Sequence, residues 1–152
     1  VAVMADKINP VDLRILKLLS KNARLTYKEL AELLGTTRQR ISRRMNRLEQ
    51  SGVILKYTVI PDYDALGYVH VVLGITLKPG ANVKDAIEAL KEDEHVKVIQ
   101  RALGSHNLVI HVIGPKDMRE LERIISEISK KVPAIDHMDV TFITETIKFE
   151  TL

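Results

Sequence analysis

Residues 38–50 combine a narrow apolar stripe with a run of arginines. Ile41, Met45 and Leu48 recur at intervals of four and three residues, which is the spacing of one face of an α-helix. Five arginines share this segment, and its first acidic residue is Glu49. A solvated helix face usually carries charges of both signs. The segment therefore predicts a helix that buries one side and presents cations to a polyanion.

The polar side of this helix carries the residue types that read base edges in the DNA major groove. Arginine binds O6 and N7 of guanine with two hydrogen bonds, glutamine does the same to adenine, and serine adapts to either. The first residues of a recognition helix meet the bases, so base contacts are expected from Arg38, Gln39, Ser42 and Arg43. Phosphate contacts are expected from Arg40 and Arg47, and from the amino-terminal end of the helix at Thr37.

Two further helices are predicted ahead of this one. Asn9 and Pro10 mark a helix start, with asparagine as the N-cap and proline at the first helical position. Thr26 and Glu29 have the spacing of a capping box, which opens a second, shorter helix. Gly35 ends that helix, because a left-handed C-cap favours glycine.

The order of these signals predicts a helix-turn-helix whose third helix contacts DNA. Thr37 is the expected N-cap of that helix, and Ser51-Gly52 ends it. Residues 53–60 are rich in β-branched side chains and are predicted to form the wing. The first domain is accordingly assigned to residues 1–60.

Charge is distributed unevenly along the chain. Residues 1–60 hold 12 Lys and Arg against 5 Asp and Glu, whereas the remaining 92 residues hold 11 basic and 15 acidic side chains. A basic first part joined to an acidic remainder indicates that only one module binds a polyanion.

Composition excludes several classes of protein. The 152 residues include no cysteine, which rules out disulfides, thiolate metal sites and cysteine nucleophiles. An apolar content of 45% is enough to build cores. Because no apolar run is long enough to span a bilayer and no signal peptide is visible, we expect a cytoplasmic, nucleoid-associated protein with no membrane partner.

After a linker at residues 61–67, the pattern predicts a second domain over residues 68–152. Tyr68 to Leu77 alternates as a strand, and Asn82 caps a helix. Strands at 96–103 and 108–113 follow, then a helix beginning at Gly114-Pro115 with an inward stripe at residues 118, 121, 125 and 128. A final strand is predicted at 140–149. The order βαββαβ predicts a ferredoxin-like sandwich and an α+β protein overall.

The first strand of this sandwich is apolar on both faces. A sheet covered by helices on one side leaves its other side open, which favours sheet-to-sheet packing in a homodimer. A homodimer would place two recognition helices for paired half-sites.

The whole chain resembles the Lrp/AsnC family, the feast/famine transcription regulators. That resemblance implies a winged helix-turn-helix followed by an effector-binding and oligomerisation domain. It also implies dimers that assemble further, for example into octamers, and an amino acid or similar small metabolite bound where effector domains meet. Arg44 matches a position that the family often fills with arginine, and we expect it to pack or to pair with an acid such as Glu49. The resemblance is carried by Asp12-Leu13-Arg14-Ile15-Leu16, Asn22-Ala23-Arg24-Leu25-Thr26, Glu29-Leu30-Ala31, Leu34-Gly35, Ile41-Ser42-Arg43-Arg44-Met45, Leu48-Glu49, Gly52-Val53-Ile54, Tyr57 and Leu66-Gly67-Tyr68, and continues to Ile147-Lys148.

The chain departs from the family at the turn Gly104-Ser105-His106-Asn107, the predicted effector site. Asn107 stands where responsive members carry an acidic residue, so it offers a ligand ammonium a hydrogen bond without a charge. Three readings remain open: a different ligand, a weakly bound amino acid, or no ligand. Equally open is a purely structural turn that uses Asn and Gly for backbone reasons.

Two alternatives to a sequence-specific regulator are retained. An architectural, nucleoid-type protein would use the arginines on phosphates and show a steep salt dependence with little sequence choice. Sirohaem decarboxylases share the two-domain plan and use histidines around a tetrapyrrole, but they do not need an arginine-rich recognition helix. The five histidines show no spacing typical of a zinc site, and we expect no catalytic residue, metal or cofactor.

Overall fold

The computed structural model describes residues 8–152, which form two units. One unit comprises residues 8–60 together with Ile147–Leu152, and the other comprises Pro61–Thr146. Residues 1–7, which the predicted first domain includes, lie outside the described residues. Within residues 8–152, the helices are too short or too polar to cross a membrane.

The first unit contains three helices: α1 (Pro10–Lys21), α2 (Tyr27–Leu34) and α3 (Arg38–Gln50). The expected local signals start and end them. Asn9 Oδ1 accepts a hydrogen bond from the backbone N–H of Asp12 at 2.9 Å, and Thr26 Oγ1 accepts one from Glu29 at 3.1 Å. Gly35 adopts φ 62°, the left-handed conformation that ends α2. The predicted helix-turn-helix is confirmed.

The core of this unit is built where the three helices meet. Ile15 from α1, Leu30 from α2 and Ile41 from α3 are buried together with Met45 and Leu48. Burying side chains of this size contributes roughly 1.5–3 kcal/mol each. The apolar stripe of α3 is therefore buried in the core of the unit, and the polar residues of the helix lie outside that core.

The predicted wing does not form a β-strand. Residues 53–60 are assigned neither helix nor strand, and Leu55 and Val59 are 90% and 81% exposed. A strand needs a neighbouring strand to satisfy its backbone groups, and none forms among the described residues of this unit. Tyr57 Oη donates to Glu49 Oε1 at 2.6 Å, which ties this segment to α3. Elsewhere in the unit, Ser20 Oγ donates to the carbonyl of Leu152 at 3.2 Å.

The second unit has the predicted order βαββαβ. Its elements are β1 (Tyr68–Leu77), α4 (Val83–Leu90), β2 (Val96–Arg101), β3 (Leu108–Pro115), α5 (Met118–Lys131) and β4 (Ile135–Ile143). The strands form one antiparallel sheet in the order β2-β3-β1-β4. Alternate residues of β1 and β3, including Val71, Leu73 and Ile110, pack in a core with residues of both helices.

The last strand begins and ends earlier than predicted. It spans 135–143 rather than 140–149, because its length is set by pairing with β1, from Leu77 opposite Ile135 to His70 opposite Ile143. Residues beyond Ile143 have passed the end of this pairing. The strand is reached through Ala134, a non-glycine residue at φ 62°.

The second helix of this unit also differs from the prediction. It begins at Met118 rather than at Gly114-Pro115, because those two residues still belong to β3 and Asp117 supplies the N-cap. Its buried stripe is Leu121, Ile124 and Ile128. The predicted residues at 118 and 125 lie beside this stripe: Met118 is 60% exposed and Ile125 is half-buried.

Candidate nucleic-acid interface and effector turn

The outer surface of α3 is polar along its whole length. Successive helical residues are rotated by about 100°, so the direction opposite the buried stripe can be assigned residue by residue. That assignment places four exposed side chains within about 50° of the outward direction. They are Gln39, Arg43, Asn46 and Gln50.

Two flanks border this outward row. The same rotation places Arg40, Arg44 and Arg47 on one side of the row. It places Arg38, Ser42 and Glu49 on the other side. All are exposed except Ser42 and Arg44, which are half-buried. The predicted DNA-contacting residues thus lie on one continuous surface, but they divide between its centre and its two edges.

Arg44 is held by the protein itself. Its Nε donates to Asp12 Oδ1 at 2.6 Å, and its Nη2 donates to Asp12 Oδ2. Burial favours a raised pKa of the Asp12 carboxyl, but the hydrogen bonds from Arg44 and Asn9 and the charges of Arg44 and Arg47 outweigh it, so the pKa lies below its ordinary value. The expectation that Arg44 pairs with an acid is confirmed, but the acid is Asp12 and not Glu49, which accepts a hydrogen bond from Tyr57.

Beside this ion pair lies an open concave surface of about 750 Å³. Its lining is strongly basic, since Arg40, Arg43 and Arg47 surround it along with Arg44, and Asn9 borders it at the start of α1. A concavity of one charge sign concentrates the field. It suits a polyanion backbone running along the α3 flank.

The amino-terminal end of α3 is capped by Thr37. Its Oγ1 accepts a hydrogen bond from the backbone N–H of Arg40 at 3.2 Å, and Thr37 remains exposed. The other N–H groups of the first turn and the helix dipole favour an anion here. The placement is consistent with a phosphate contact by this helix end.

Sequence reasoning missed Asn46 and Gln50 on the outward row. Both follow from the rotation that identified the buried stripe, since they lie within about 50° of the direction opposite it. The prediction left them out because it expected base contacts only from the first part of the helix, at residues 38–43. Asparagine can bind adenine with two hydrogen bonds, as glutamine can, so the outward row holds more base-reading chemistry than was predicted.

The predicted effector turn lies in the second unit between β2 and β3. Asn107 is tied to the end of β1 on both its backbone and its side chain: its N–H donates to the carbonyl of Ile75 at 2.8 Å, and its Oδ1 accepts from the N–H of Leu77 at 2.7 Å. Because only the oxygen of the amide can accept from an N–H, the side-chain orientation is fixed. Asn107 therefore provides hydrogen-bond partners for two backbone groups at the end of β1.

The rest of the turn is pinned across the same strand. Thr76 Oγ1 donates to the carbonyl of Ser105 at 2.9 Å, and the His106 ring lies over Gly74, where an added Cβ would come within 2.6 Å of it. His106 Nε2 also lies 3.2 Å from Asp139 Oδ2 on β4. Glycine at position 74 is what allows the imidazole to approach the sheet.

Two further histidines meet on the sheet face that the helices leave open. His70 Nε2 and His111 Nδ1 are 2.8 Å apart, and the Tyr63 ring packs edge-on against His70. Burial lowers the pKa of both imidazoles, and the neighbouring His111 lowers that of His70 further. Within residues 8–152, no three His, Asp or Glu side chains are grouped so as to hold a metal ion.

Comparison with known families assigns both units. Residues 8–54 match the winged helix-turn-helix DNA-binding family. Residues 70–152, more than half of the chain, match the Lrp/AsnC ligand binding domain. The chain belongs to the Lrp/AsnC family. Its first unit is the DNA-binding module and its second is the ligand-binding module.

Relatives are similar over nearly the whole chain. An uncharacterized helix-turn-helix-type transcriptional regulator of Pyrococcus abyssi is 42% identical over 146 residues, which cover 96% of this chain and 99% of that protein. The regulator LrpA of Pyrococcus abyssi is 33% identical over 135 residues, covering 88% and 94% of the two chains.

Solved structures share the fold. PH0061, an uncharacterized regulator of Pyrococcus horikoshii, superposes with a TM-score of 0.90 at 38% identity and covers 95% of this chain and 98% of its own. A Neisseria meningitidis regulator, solved in complex with L-Met, has a TM-score of 0.81 at 18% identity and covers 95% and 94%. This Lrp/AsnC member is thus a DNA-binding transcriptional regulator and not an enzyme, so the sirohaem decarboxylase alternative is set aside.

Proposed function

We propose that this Lrp/AsnC member binds specific DNA sites through the outward row of α3. The observation that carries the proposal is the division of this helix, whose apolar stripe is buried within its own unit while hydrogen-bonding side chains face outward along about three turns. Residues 1–60 are assigned to DNA binding and residues 68–152 to effector binding and dimerisation, joined by the linker 61–67.

The geometry divides the work among the side chains. Gln39 and Arg43 lie at the centre of the outward row and are proposed to read bases, joined by Asn46. Arg40 and Arg47 border the basic concavity and are proposed to bind phosphates, as is the helix end at Thr37. Arg38 and Ser42, on the opposite flank, reach bases only at the edge of the groove.

We further propose that the open sheet face forms a homodimer. Val72 and Val109 lie on this face beside the His70–His111 pair and are half-buried without any layer of the unit above them. A second copy would cover them and place two α3 helices in successive major grooves of chromosomal DNA.

An amino acid or similar metabolite is proposed to act on this assembly. The Neisseria relative binds L-Met, and the turn at 104–107 is the candidate site here. The Asn107 oxygen already accepts from the N–H of Leu77, so we expect its amide nitrogen to be the side-chain group that meets a ligand. That nitrogen is a donor, which suits a carboxylate better than an ammonium. Coupling requires that the ligand favour one assembly over another.

The deciding experiment is selection of binding sites from random duplex DNA with the full chain, at low and at moderate salt. The proposal expects enrichment of a pseudo-palindrome with half-sites about 10 base pairs apart. Binding without enrichment, lost as salt rises, would assign an architectural role in its place. Absence of binding at either salt would reject α3 as a DNA-binding surface.

A further inference from the structure

Two imidazoles meet on the open face of the sheet. His70 lies on β1 and His111 on β3, which are the two central strands. Val72 is directly opposite His111, so His70 and His111 are diagonal neighbours across these strands. Both are half-buried, and the helices pack against the other face of the sheet. The paired strands therefore hold the two rings together, and the unit leaves one side of the pair uncovered.

The two rings share one hydrogen between them. His70 Nε2 and His111 Nδ1 are 2.8 Å apart, a distance at which one neutral imidazole donates its N–H and the other accepts with its lone pair. A metal ion in place of that hydrogen would meet a lone pair on each ring, because a neutral ring can keep its hydrogen on its other nitrogen. Both histidines can thus become metal ligands without a change in their net charge.

The distance between the two nitrogens selects the kind of ion. Metal–imidazole bonds are about 2.0 Å long, so ligands at adjacent corners of a square lie about 2.8 Å apart, whereas ligands at tetrahedral corners lie about 3.3 Å apart. The observed distance of 2.8 Å matches the square arrangement. The ions that prefer tetragonal coordination by nitrogen are Cu²⁺ and Ni²⁺.

The groups around the pair are compatible with a bound cation. On β1, β3 and β4, the described positions that share this face carry neither lysine nor arginine. Lys97 lies at the irregular pairing of β2 beside His111, but its Nζ donates to the carbonyl of Glu94 at 2.6 Å. The Tyr63 ring contacts His70 edge-on and restricts its rotation. The two imidazoles are therefore held in place for a ligand.

We propose that His70 and His111 form a two-imidazole site for a divalent transition-metal ion of the Cu²⁺ or Ni²⁺ type. Two protein ligands leave the ion with further coordination positions on the open side of the sheet. Water fills these positions in a single chain, and in the proposed homodimer an imidazole pair of the second copy can replace the water. The two-imidazole site itself does not depend on that homodimer.

Calorimetric titration with Ni²⁺ tests the site. Untagged full-length protein, freed of metal with a chelator that is then removed, is expected to bind Ni²⁺ saturably. Loss of a group behind a ligand already costs about 10–100-fold in affinity, so His70→Gln and His111→Gln are each expected to weaken binding by about tenfold or more. His137→Gln removes an exposed histidine of β4 outside the pair and is the control.

The outcomes of this titration are distinct. Absence of saturable binding, or equal affinity in the unchanged chain and both pair variants, would overturn the proposal, as would an equal loss in His137→Gln. A ratio of one ion per chain indicates water in the remaining positions, and one ion per two chains indicates a shared ion. Loss of the homodimer in sedimentation with retained Ni²⁺ binding would contradict the dimer and not the metal site.

Electron paramagnetic resonance with Cu²⁺ supplies a second readout. The spectrum of the unchanged chain is expected to show splitting by imidazole nitrogens, and the double variant His70→Gln/His111→Gln is expected to lose it. Excess Ni²⁺ should raise the Tm of the unchanged chain, since a ligand that binds the folded state stabilises it, and should leave the Tm of the double variant unaltered. A cooperative unfolding transition of the metal-free double variant verifies that it folds. Nitrogen splitting or a Tm increase retained in this variant would place the ion elsewhere.

Discussion

At the scale of single residues, the five arginines of α3 divide into two kinds. Arg44 pairs with the buried carboxylate of Asp12, whose side chain is 0% exposed. The other four are exposed to solvent: Arg38, Arg40, Arg43 and Arg47. A guanidinium with a buried partner stabilises the fold, and one without such a partner is available to a ligand. The same residue type thus serves folding and binding within a single helix.

Arg44→Ala should destabilise the first unit severely. It leaves the Asp12 carboxylate buried without its cation, which costs about 3–5 kcal/mol. Urea unfolding measures the loss. Arg43→Ala, at an exposed position one residue away, is the matched control and is expected to change the free energy of unfolding by less than about 0.5 kcal/mol. Similar losses in both variants would contradict a structural role confined to Arg44.

Arg43→Ala should instead weaken DNA binding selectively. Loss of a two-point contact to guanine costs about 1–3 kcal/mol and relaxes the choice at one base pair. Binding to the selected site and to sites mutated one pair at a time gives the comparison. Arg47→Ala is the control for a phosphate contact, and it is expected to weaken all sites equally and to reduce the salt dependence. Uniform weakening by Arg43→Ala would reassign this side chain to the phosphates.

Ala134→Gly should stabilise the second unit. Ala134 holds φ 62° at the entry to β4, a conformation that costs non-glycine residues about 1–2 kcal/mol. Glycine removes that cost but loses more backbone entropy, so a net gain of about 0.5–1 kcal/mol is expected. Thermal unfolding measures it, with Ala89→Gly inside α4 expected to destabilise. A loss of stability at position 134 would show that the methyl group makes a compensating contact.

At the scale of the elements, the open sheet face carries a proton-sensitive pair. The folded pKa values of His70 and His111 lie below the ordinary value, so the unfolded chain takes up protons more readily than the folded chain as pH falls below about 6.5. Their contribution to stability is complete above that pH and is lost as the pH drops through the folded values. Tyr63 packs against His70, and its ring brings no charge that would offset this.

The double variant His70→Gln/His111→Gln should flatten this dependence. The difference in free energy of unfolding between about pH 7.5 and about pH 5.5 is expected to shrink relative to the unchanged chain at equal protein concentration. Thr141→Ser on the same sheet face removes no titratable group and is expected to retain the full difference. An unaltered pH dependence in the double variant would assign the effect to other groups.

At the scale of the whole molecule, the proposed function depends on contacts between two copies of the chain. Val72 on the open sheet face is half-buried, and the proposed homodimer through this face would bring two α3 helices to one DNA molecule. Binding of one α3 helix to its half-site would then raise the effective concentration of the other helix at the second half-site. The proposed homodimer would therefore couple specificity on DNA to assembly of the second unit.

Val72→Lys should separate the two copies. A cation at the centre of the covered face would be buried without a partner, and dimers are expected to dissociate at concentrations where the unchanged chain stays associated. Sedimentation equilibrium measures this, and binding to a paired site should fall while binding to a half-site persists. Glu92→Lys, which introduces the same side chain at an exposed position outside this sheet face, is the control. A variant that remains dimeric would place the dimer on a different surface.

Much of the fold could be predicted because its signals are local. Caps such as Asn9 and Thr26 act on N–H groups three residues away, and Gly35 ends its helix by its own backbone preference, so neighbouring letters are sufficient. The buried stripe of α3 follows from helical periodicity alone, and the outward row with Asn46 and Gln50 follows from the same period once the stripe is known.

Tertiary structure decided everything that depends on a distant partner. Asp12 and Arg44 are 32 residues apart, and only the packing of α1 on α3 brings them together. The bounds of β4 depend on which residues of β1 it pairs with. The Asn107 oxygen accepts a hydrogen bond from the N–H of Leu77, 30 residues earlier in the chain. Capping and periodicity act within a turn or two of chain, whereas hydrogen-bond partners across a core are set by the packing of whole elements. The sequence thus determined the helix-turn-helix and its polar face, and the three-dimensional structure determined which polar groups remain available to a ligand.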